Sequence, residues 1–338
     1  MIISIAKEAT PEELDGVVQR AKSLGLDIQL NSGTDKTVVA ILGSNTGQLP
    51  TDIFAVLPGV ESVTRVMKPY KLASRDFKPE DSIITVGGVE IGGNRLVVMA
   101  GPCAVETGEQ LMEAAKAVKS SGASVLRGGA FKPRSSPFSF QGLGEAGLKL
   151  LSTVSKEYDI PVVTEVVDSH DIDMVSAYAD ILQVGSRNMQ NFTLLAAIGR
   201  SRCPVILKRG FSCTVTEWLT AADYILAGGN EQVILCERGI RTFEDSARFS
   251  LDITSIPVLK RHSHLPVIVD PSHAAGHYTL VPSMARASVA AGADGLLIEV
   301  HPNPKEALVD GLQSLTPAHF TTLMSDIRSI ARSIGRDV

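Results

Sequence analysis

The sequence predicts an α/β protein: a (β/α)8 TIM barrel preceded by a small α+β domain. Three observations predict it. From residue 96 onward the chain repeats one unit eight times: a short apolar run, a polar or charged residue, then a helical stretch. The apolar runs do not alternate with polar residues, which is the pattern of parallel strands buried on both faces and covered by helices. The chain has 338 residues. A barrel takes about 250, leaving roughly 80–90 for one further small domain. An open, doubly wound sheet is the alternative, and eight consecutive units favour closure.

The elements follow in order. Residues 2–6 are strand-like. Thr10 is a helix N-cap, with Pro11 in the first helical position and Glu12 and Glu13 in the first turn. That helix runs to about residue 24, where Gly25 stops it. Residues 27–31 and 36–42 are strands separated by Asn31-Ser32-Gly33, and a helix is expected near 50–57. Residues 60–67 alternate as a half-buried strand does. The order βαββαβ is the ferredoxin-like pattern, placing a first domain at 1–67. Residues 68–82 are charged, carry two prolines and lack periodicity, as expected of a linker. Residues 83–91 form a hairpin turning at Gly87-Gly88 and open the barrel domain, 83–338. The barrel strands are expected within 96–103, 124–128, 162–165, 180–187, 205–209, 233–238, 267–273 and 296–301.

Composition removes several function classes. Hydrophobic residues make up 44% and charged residues 20%, so the chain can bury a core and is not disordered. No uncharged apolar run approaches the roughly 18 residues of a membrane span. The first residues, MIISIAKEATPEELD, lack a basic stretch, so no signal peptide is expected. Cys103, Cys203, Cys213 and Cys236 form no C-x-x-C pair, which fits reduced thiols in the cytoplasm. A net charge of −5 argues against a general nucleic-acid partner.

Barrel active sites lie at the C-terminal ends of the strands. Here those ends carry Cys103, Arg127, Glu165, Arg187, Lys208 with Arg209, Glu237 with Arg238, Asp270 with His273, and Glu299 with His301. Lys132 and Arg134 follow the second strand. One charge at a strand end is ordinarily a solvated loop residue. Eight ends around one mouth, however, gather at least six cations in an acidic protein, and such a group suits a phosphorylated and carboxylated ligand. Cys103, His273, Glu299 and Asp310 form a second set from strands one, seven and eight, which are neighbours in a closed barrel. One thiolate, one imidazole and two carboxylates suit Mn²⁺, Fe²⁺, Co²⁺ or Zn²⁺. The alternative is a buried structural thiol and a His that only caps a turn.

Two patterns mislead. Gly142-Leu143-Gly144-Glu145-Ala146-Gly147 matches G-x-G-x-x-G, but PRSSPFSFQ precedes it where a dinucleotide fingerprint needs a strand. It is read as a loop entering the second barrel helix. Lys208 could form a Schiff base, yet the adjacent Arg209 and the surrounding cations fit simple anion binding.

The segments AGPC (100–103), LRGGAFKPRSSPFSFQGLG (126–144), QVGSRNMQNF (183–192), VILKRG (205–210), LCERGIRTF (235–243), VDPSH (269–273) and IEVHPNPKEALVDGLQSL (298–315) resemble 3-deoxy-D-arabino-heptulosonate 7-phosphate (DAHP) synthase. The resemblance covers nearly the whole chain and is to the type with an N-terminal ferredoxin-like (ACT-like) regulatory domain. It implies condensation of phosphoenolpyruvate with D-erythrose 4-phosphate, the first step of the shikimate pathway. It places the divalent metal on Cys103, His273, Glu299 and Asp310. It puts the phosphoenolpyruvate phosphate on Arg187 and Arg238, and its carboxylate on Arg127, Lys132 and Lys208. The K-P-R-[ST] motif, Lys132-Pro133-Arg134-Ser135, is implied to hold erythrose 4-phosphate, with Ser where many members have Thr. Lys132 is expected to deliver a proton to the new alkoxide and Glu165 to handle the water. Tyrosine or phenylalanine is the implied effector and a homotetramer the implied assembly. The nearest rival, 3-deoxy-D-manno-octulosonate 8-phosphate synthase, usually carries K-A-N-R-S in place of K-P-R-S. A silent, effector-sensing barrel would lack a metal ligand, and all four are present.

Overall fold

A computed structural model describes every residue except 33–36, 44, 45, 47, 66, 67 and 135. The chain divides into two compact units: Met1–Glu80 with His262–His264, and Asp81–Arg261 with Leu265–Val338.

The first unit runs β1 (Ile2–Ile5), α1 (Pro11–Ser23), β2 (Asp27–Ser32), β3 (Thr37–Leu42), α2 (Asp52–Ala55) and β4 (Val60–Thr64). The strands pair antiparallel in the order β2-β3-β1-β4. This is the expected ferredoxin-like arrangement. Helix α1 starts at a reciprocal cap: Thr10 N donates to Glu13 Oε2 at 2.8 Å, and Glu13 N donates to Thr10 Oγ1 at 3.3 Å. Its Val17 and Ala21 join Ile3, Ile5, Val39, Ile41 and Phe54 in one core. Between residues 68 and 80, Tyr70, Leu72, Ala73 and Phe77 are buried. The Asn31 side chain donates to Phe77 O at 3.2 Å.

The second unit opens with the hairpin β5 (Ile84–Val86) and β6 (Val89–Ile91). Eight parallel strands follow: β7 (Val97–Gly101), β8 (Val125–Arg127), β9 (Val162–Glu165), β10 (Ile181–Val184), β11 (Val205–Lys208), β12 (Val233–Glu237), β13 (Val267–Val269) and β14 (Gly295–Glu299). They close into a barrel, β14 pairing with β7 over Gly295↔Val97 to Glu299↔Gly101. The intervening helices are α3 (Gly108–Ser121), α4 (Glu145–Tyr158), α5 (Ile172–Ser176), α6 (Phe192–Gly199), α7 (Val215–Ala227), α8 (Ser255–His262), α9 (Pro271–Ala275) and α10 (Val281–Ala290), with α11 (Pro317–Ser333) last. Nearly every strand residue is buried, because one face meets the barrel interior and the other meets helices.

The interior is packed at its N-terminal end. Ile84, Val86 and Ile91 of the hairpin share a cluster with Val97, Met99, Val125, Val163, Ile181, Ile206, Ile234, Ile268 and Leu297. That plug leaves the C-terminal ends as the open mouth. Among the described residues, no helix is long and apolar enough to cross a membrane.

The G-x-G-x-x-G stretch has a steric explanation. Gly142 has φ +94°, and a Cβ there would collide with the Ala130 carbonyl. Gly144 N donates to the same oxygen at 2.9 Å. The glycines let this loop lie against the segment after β8.

Candidate active site

The four donors chosen from sequence converge. One ligand atom each from Cys103, His273, Glu299 and Asp310 lies within 4.8 Å of the others. Cys103 follows β7 and Glu299 ends β14, which are paired neighbours. His273 sits in the first turn of α9, where the Asp270 side chain caps it: His273 N donates to Asp270 Oδ1 at 2.9 Å. Asp270 Oδ2 lies 2.7 Å from His273 Nδ1, which leaves Nε2 facing the cluster, 3.4 Å from Glu299 Oε1. Ligands bonded to one ion at about 2.0–2.3 Å stand no more than roughly 4.6 Å apart. The cluster therefore fits such an ion with small shifts.

Strong electrostatics act on this cluster. Burial pushes the Cys103 thiol up to about 12, and the Glu299 carboxylate adds to that. Burial also opposes charge on Glu299, but His273, Arg127 and Lys132 outweigh it and bring its carboxyl down to about 2. Asp270 is likewise buried, and His273 and Lys208 hold it well below the usual carboxylate range. Burial keeps His273 below its ordinary value, against the pull of Asp270 and Glu299. Lys132 Nζ lies 3.1 Å from Cys103 Sγ and 3.2 Å from Cys103 O. Burial opposes its charge too, yet Cys103, Glu299 and Glu165 raise its pKa.

Beside the cluster is a cavity of about 530 Å³, lined among others by Lys132, Arg134, Glu165, Arg187, Arg238 and His273. Lys208 and Arg127 reach a recess next to it. Three of these arginines present buried N–H groups with no partner: Arg127 Nε, Arg134 Nη1 and Arg238 Nη1. Buried polar atoms are almost always satisfied, so three orphan donors around this cavity and its adjoining recess are built for an anion. A cavity of about 590 Å³ lined among others by Tyr278 and His319 has no comparable donor set among the described residues, and volume alone does not select the site.

Other cationic groups, including a second nitrogen of Arg127, are already paired. Arg127 Nη1 bonds Glu299 Oε1 at 2.6 Å, and Lys208 Nζ bonds Asp270 Oδ2 at 2.5 Å. Arg209 turns away from the cavity and bonds Glu237 at 2.9 Å and Asp252 at 2.7 Å. Ser135 lies outside the described residues. Glu165 Oε2 accepts from Gln183 Nε2 at 3.2 Å.

The family model described as the DAHP synthetase I family matches residues 73–333. The chain belongs to that family. It is therefore read as an enzyme of the DAHP synthetase I family, and a second model, the DAHP synthase ferredoxin-like domain, matches residues 1–68. The phospho-2-dehydro-3-deoxyheptonate aldolase of Thermotoga maritima is 47% identical over 335 residues, covering 99% of each chain. The crystal structure of a Thermotoga maritima protein of that name gives a TM-score of 0.80 at 47% identity, covering 100% of this chain and 98% of that one. The 2-dehydro-3-deoxyphosphooctonate aldolase of Geobacter sulfurreducens is 31% identical, covering 73% of this chain and 97% of its own.

Several residues at this DAHP synthetase I site escape a reading by strand ends. Phe211 and Phe249 stack with centroids 5.1 Å apart, and the Arg238 guanidinium lies 4.9 and 4.1 Å from their ring centres. Burial against this stack lowers the Arg238 pKa to about 10. Arg241 and Arg248 also line the cavity, from the loop after β12. Gln313 Nε2 donates to Glu299 Oε2 at 2.7 Å. The signals were present in RGIRTF and DGLQSL, but nothing local distinguishes them from ordinary loop residues.

Two predictions arise here. A Cβ at Gly185 would strike Glu165 Oε1. Gly185→Ala is expected to displace Glu165 and lower kcat about tenfold or more, with the fold intact by circular dichroism. Unchanged kcat would show that the position of Glu165 does not matter. For Glu299, the folded carboxyl is at about 2 against 4.5 ordinarily. Its stabilisation, on the order of 3 kcal/mol, is present above pH 4.5 and lost as pH falls toward 2. In metal-free protein, urea titrations across that window should show a shallower pH dependence for Glu299→Gln. Identical dependence would refute the coupling.

Proposed function

We propose that this chain condenses phosphoenolpyruvate with D-erythrose 4-phosphate and water, giving 3-deoxy-D-arabino-heptulosonate 7-phosphate and inorganic phosphate. The observation that carries this reading is the pairing of a four-donor cluster with three orphan arginine donors around the cavity and its adjoining recess. Both substrates are phosphorylated, and one is also a carboxylate.

The residues divide the work. Arg187 and Arg238 take the phosphoenolpyruvate phosphate, and Arg127 Nε, Lys132 and Lys208 take its carboxylate. Arg134 and Ser135 take the phosphate end of the aldose. Carbon 3 of phosphoenolpyruvate attacks the aldehyde, and Lys132 gives its proton to the new alkoxide. Water adds at carbon 2 while Glu165 accepts one of its protons, and the C–O bond to phosphate then breaks as carbon 2 becomes a carbonyl and the remaining hydroxyl proton leaves with the phosphate. Cys103, His273, Glu299 and Asp310 hold a divalent ion, which supplies Lewis acidity at the aldehyde oxygen when bound. Mn²⁺, Fe²⁺, Co²⁺ and Zn²⁺ all suit this donor set.

The ferredoxin-like unit is read as a regulatory module for tyrosine or phenylalanine, in a cytoplasmic homotetramer. The match of residues 1–68 supports the module. The octulosonate reading has support from the 31% relative, but that match covers 73% of this chain, and the loop here is K-P-R-S. Phosphate release with erythrose 4-phosphate and with arabinose 5-phosphate, each with chelator, added Mn²⁺, tyrosine or phenylalanine, tests the substrate, metal and effector readings. We expect turnover with the four-carbon sugar only, lost in chelator, restored by Mn²⁺ and lowered by one aromatic amino acid. Full activity in saturating chelator would defeat the metal reading, and preference for the pentose would defeat the substrate reading.

A further inference from the structure

Two loops carry two of the four donors. The loop after β7 bears Cys103 and the loop after β14 bears Asp310, with Sγ and Oδ2 3.5 Å apart. Residues 301–310 contain no helix or strand. Asp310 ends this stretch at φ +53°, in the left-handed region that costs a residue with a Cβ about 1–2 kcal/mol. Such a conformation persists only where its surroundings fix it.

Glu106 and His301 sit between the two loops, with side chains only 9% and 6% exposed. Glu106 Oε1 accepts from Leu308 N at 2.9 Å, two residues before Asp310. Asn303 N donates to His301 Nδ1 at 3.0 Å. Because Nδ1 accepts, the ring proton sits on Nε2. That Nε2 is buried, makes no hydrogen bond, and lies 3.5 Å from Glu106 Oε2. On the other side, Glu106 N donates to Gln110 Oε1 at 3.3 Å, and Gln110 Nε2 donates to Ala104 O at 3.2 Å, next to Cys103. Glu106 and His301 thus bridge the two loops, and neither lines the cavity or its adjoining recess.

We propose that Glu106 and His301 are positioning residues, a buried latch that fixes the spacing of Cys103 and Asp310 and so tightens divalent-ion binding. This rests on the metal reading of the four-donor cluster. Groups that orient ligands in this way typically govern about 10–100-fold in metal affinity.

The test is Co²⁺ titration of the chelator-stripped, full-length protein, followed by the cobalt–thiolate absorption that reports ligation by Cys103. Glu106→Gln keeps the shape and an acceptor for Leu308 N but sets an amide N–H₂ against His301 Nε2–H. It and His301→Ala should weaken Co²⁺ about 10–100-fold, with the band recovered at higher Co²⁺. His301→Gln, which keeps a donor toward Glu106, should regain most of the affinity. Thermal melts of the stripped proteins separate the latch from a folding defect, and if His301→Ala does not fold, the near-isosteric Glu106→Gln decides. Co²⁺ affinity within twofold of wild type in Glu106→Gln would overturn the latch alone. Absence of the band in wild type would overturn the metal reading, and the latch with it.

Discussion

Replacing Cys103 with alanine is expected to abolish tight binding of a divalent ion and to lower kcat by about 10³-fold or more. The sulfur is the one soft donor in a cluster otherwise made of an imidazole and two carboxylates. Its loss leaves three donors on a mouth open to water, and Lewis-acid stabilisation of several kcal/mol corresponds to about that factor in rate. Elemental analysis after dialysis and phosphate release check both halves. The expectation fails if Cys103→Ala retains wild-type metal content and turnover. It also has a pH signature. Burial, followed by the Glu299 charge, holds the thiol at about 12, so at neutral pH the sulfur must lose its proton before it can ligate. Binding should therefore release a proton, and apparent affinity should rise with pH, by up to about tenfold per unit below that pKa. Calorimetry of the wild-type protein in buffers of different ionisation heat measures the release, expected at about one proton per ion bound.

The second large effect is expected at Lys132. Lys132→Met should lower kcat by about 10²–10⁴-fold, the range for losing a positioned general acid. The same change removes a cation 3.1 Å from Cys103 Sγ that lowers the thiol pKa, so metal affinity should also weaken. Saturating the variant with Mn²⁺ separates the two: the affinity loss is overcome, and the loss in kcat remains. If saturating metal restored wild-type kcat, Lys132 would be a partner of the thiol and not a proton donor. Arginine is no substitute, because its planar fork neither fits a point-charge site nor gives up a proton.

Much of the architecture was legible in the sequence for a simple reason. Strands such as 205–208 and 233–237 are apolar at every position before the charged residue that ends them, and only a sheet buried on both faces asks for that. The Thr10-Pro11-Glu12-Glu13 helix start was equally legible, because capping is local chemistry read within four residues. The short helix α9 was not. Residues 267–273 read as one strand run, whereas the strand stops at Val269 and Pro271 opens a helix that aims His273 inward. Glu106 left no trace, since its meaning depends on Leu308, 202 residues away.

By itself, then, the sequence determined the closed barrel, the ferredoxin-like unit before it, and the kinds of residue set around the mouth. Strand-end position is a local property, carried by periodicity and by the residue that ends each apolar run. Only the tertiary structure decided which charges are spent and which are free. Arg127 pairs with Glu299 across 172 residues, Lys208 with Asp270 across 62, and Arg209 with Glu237 across 28. Arg127 Nε, Arg134 Nη1 and Arg238 Nη1 are left without partners. Such pairings depend on barrel register and on loops folded over the mouth. A buried charge takes whichever opposite charge the fold brings near, and no sequence spacing encodes that choice.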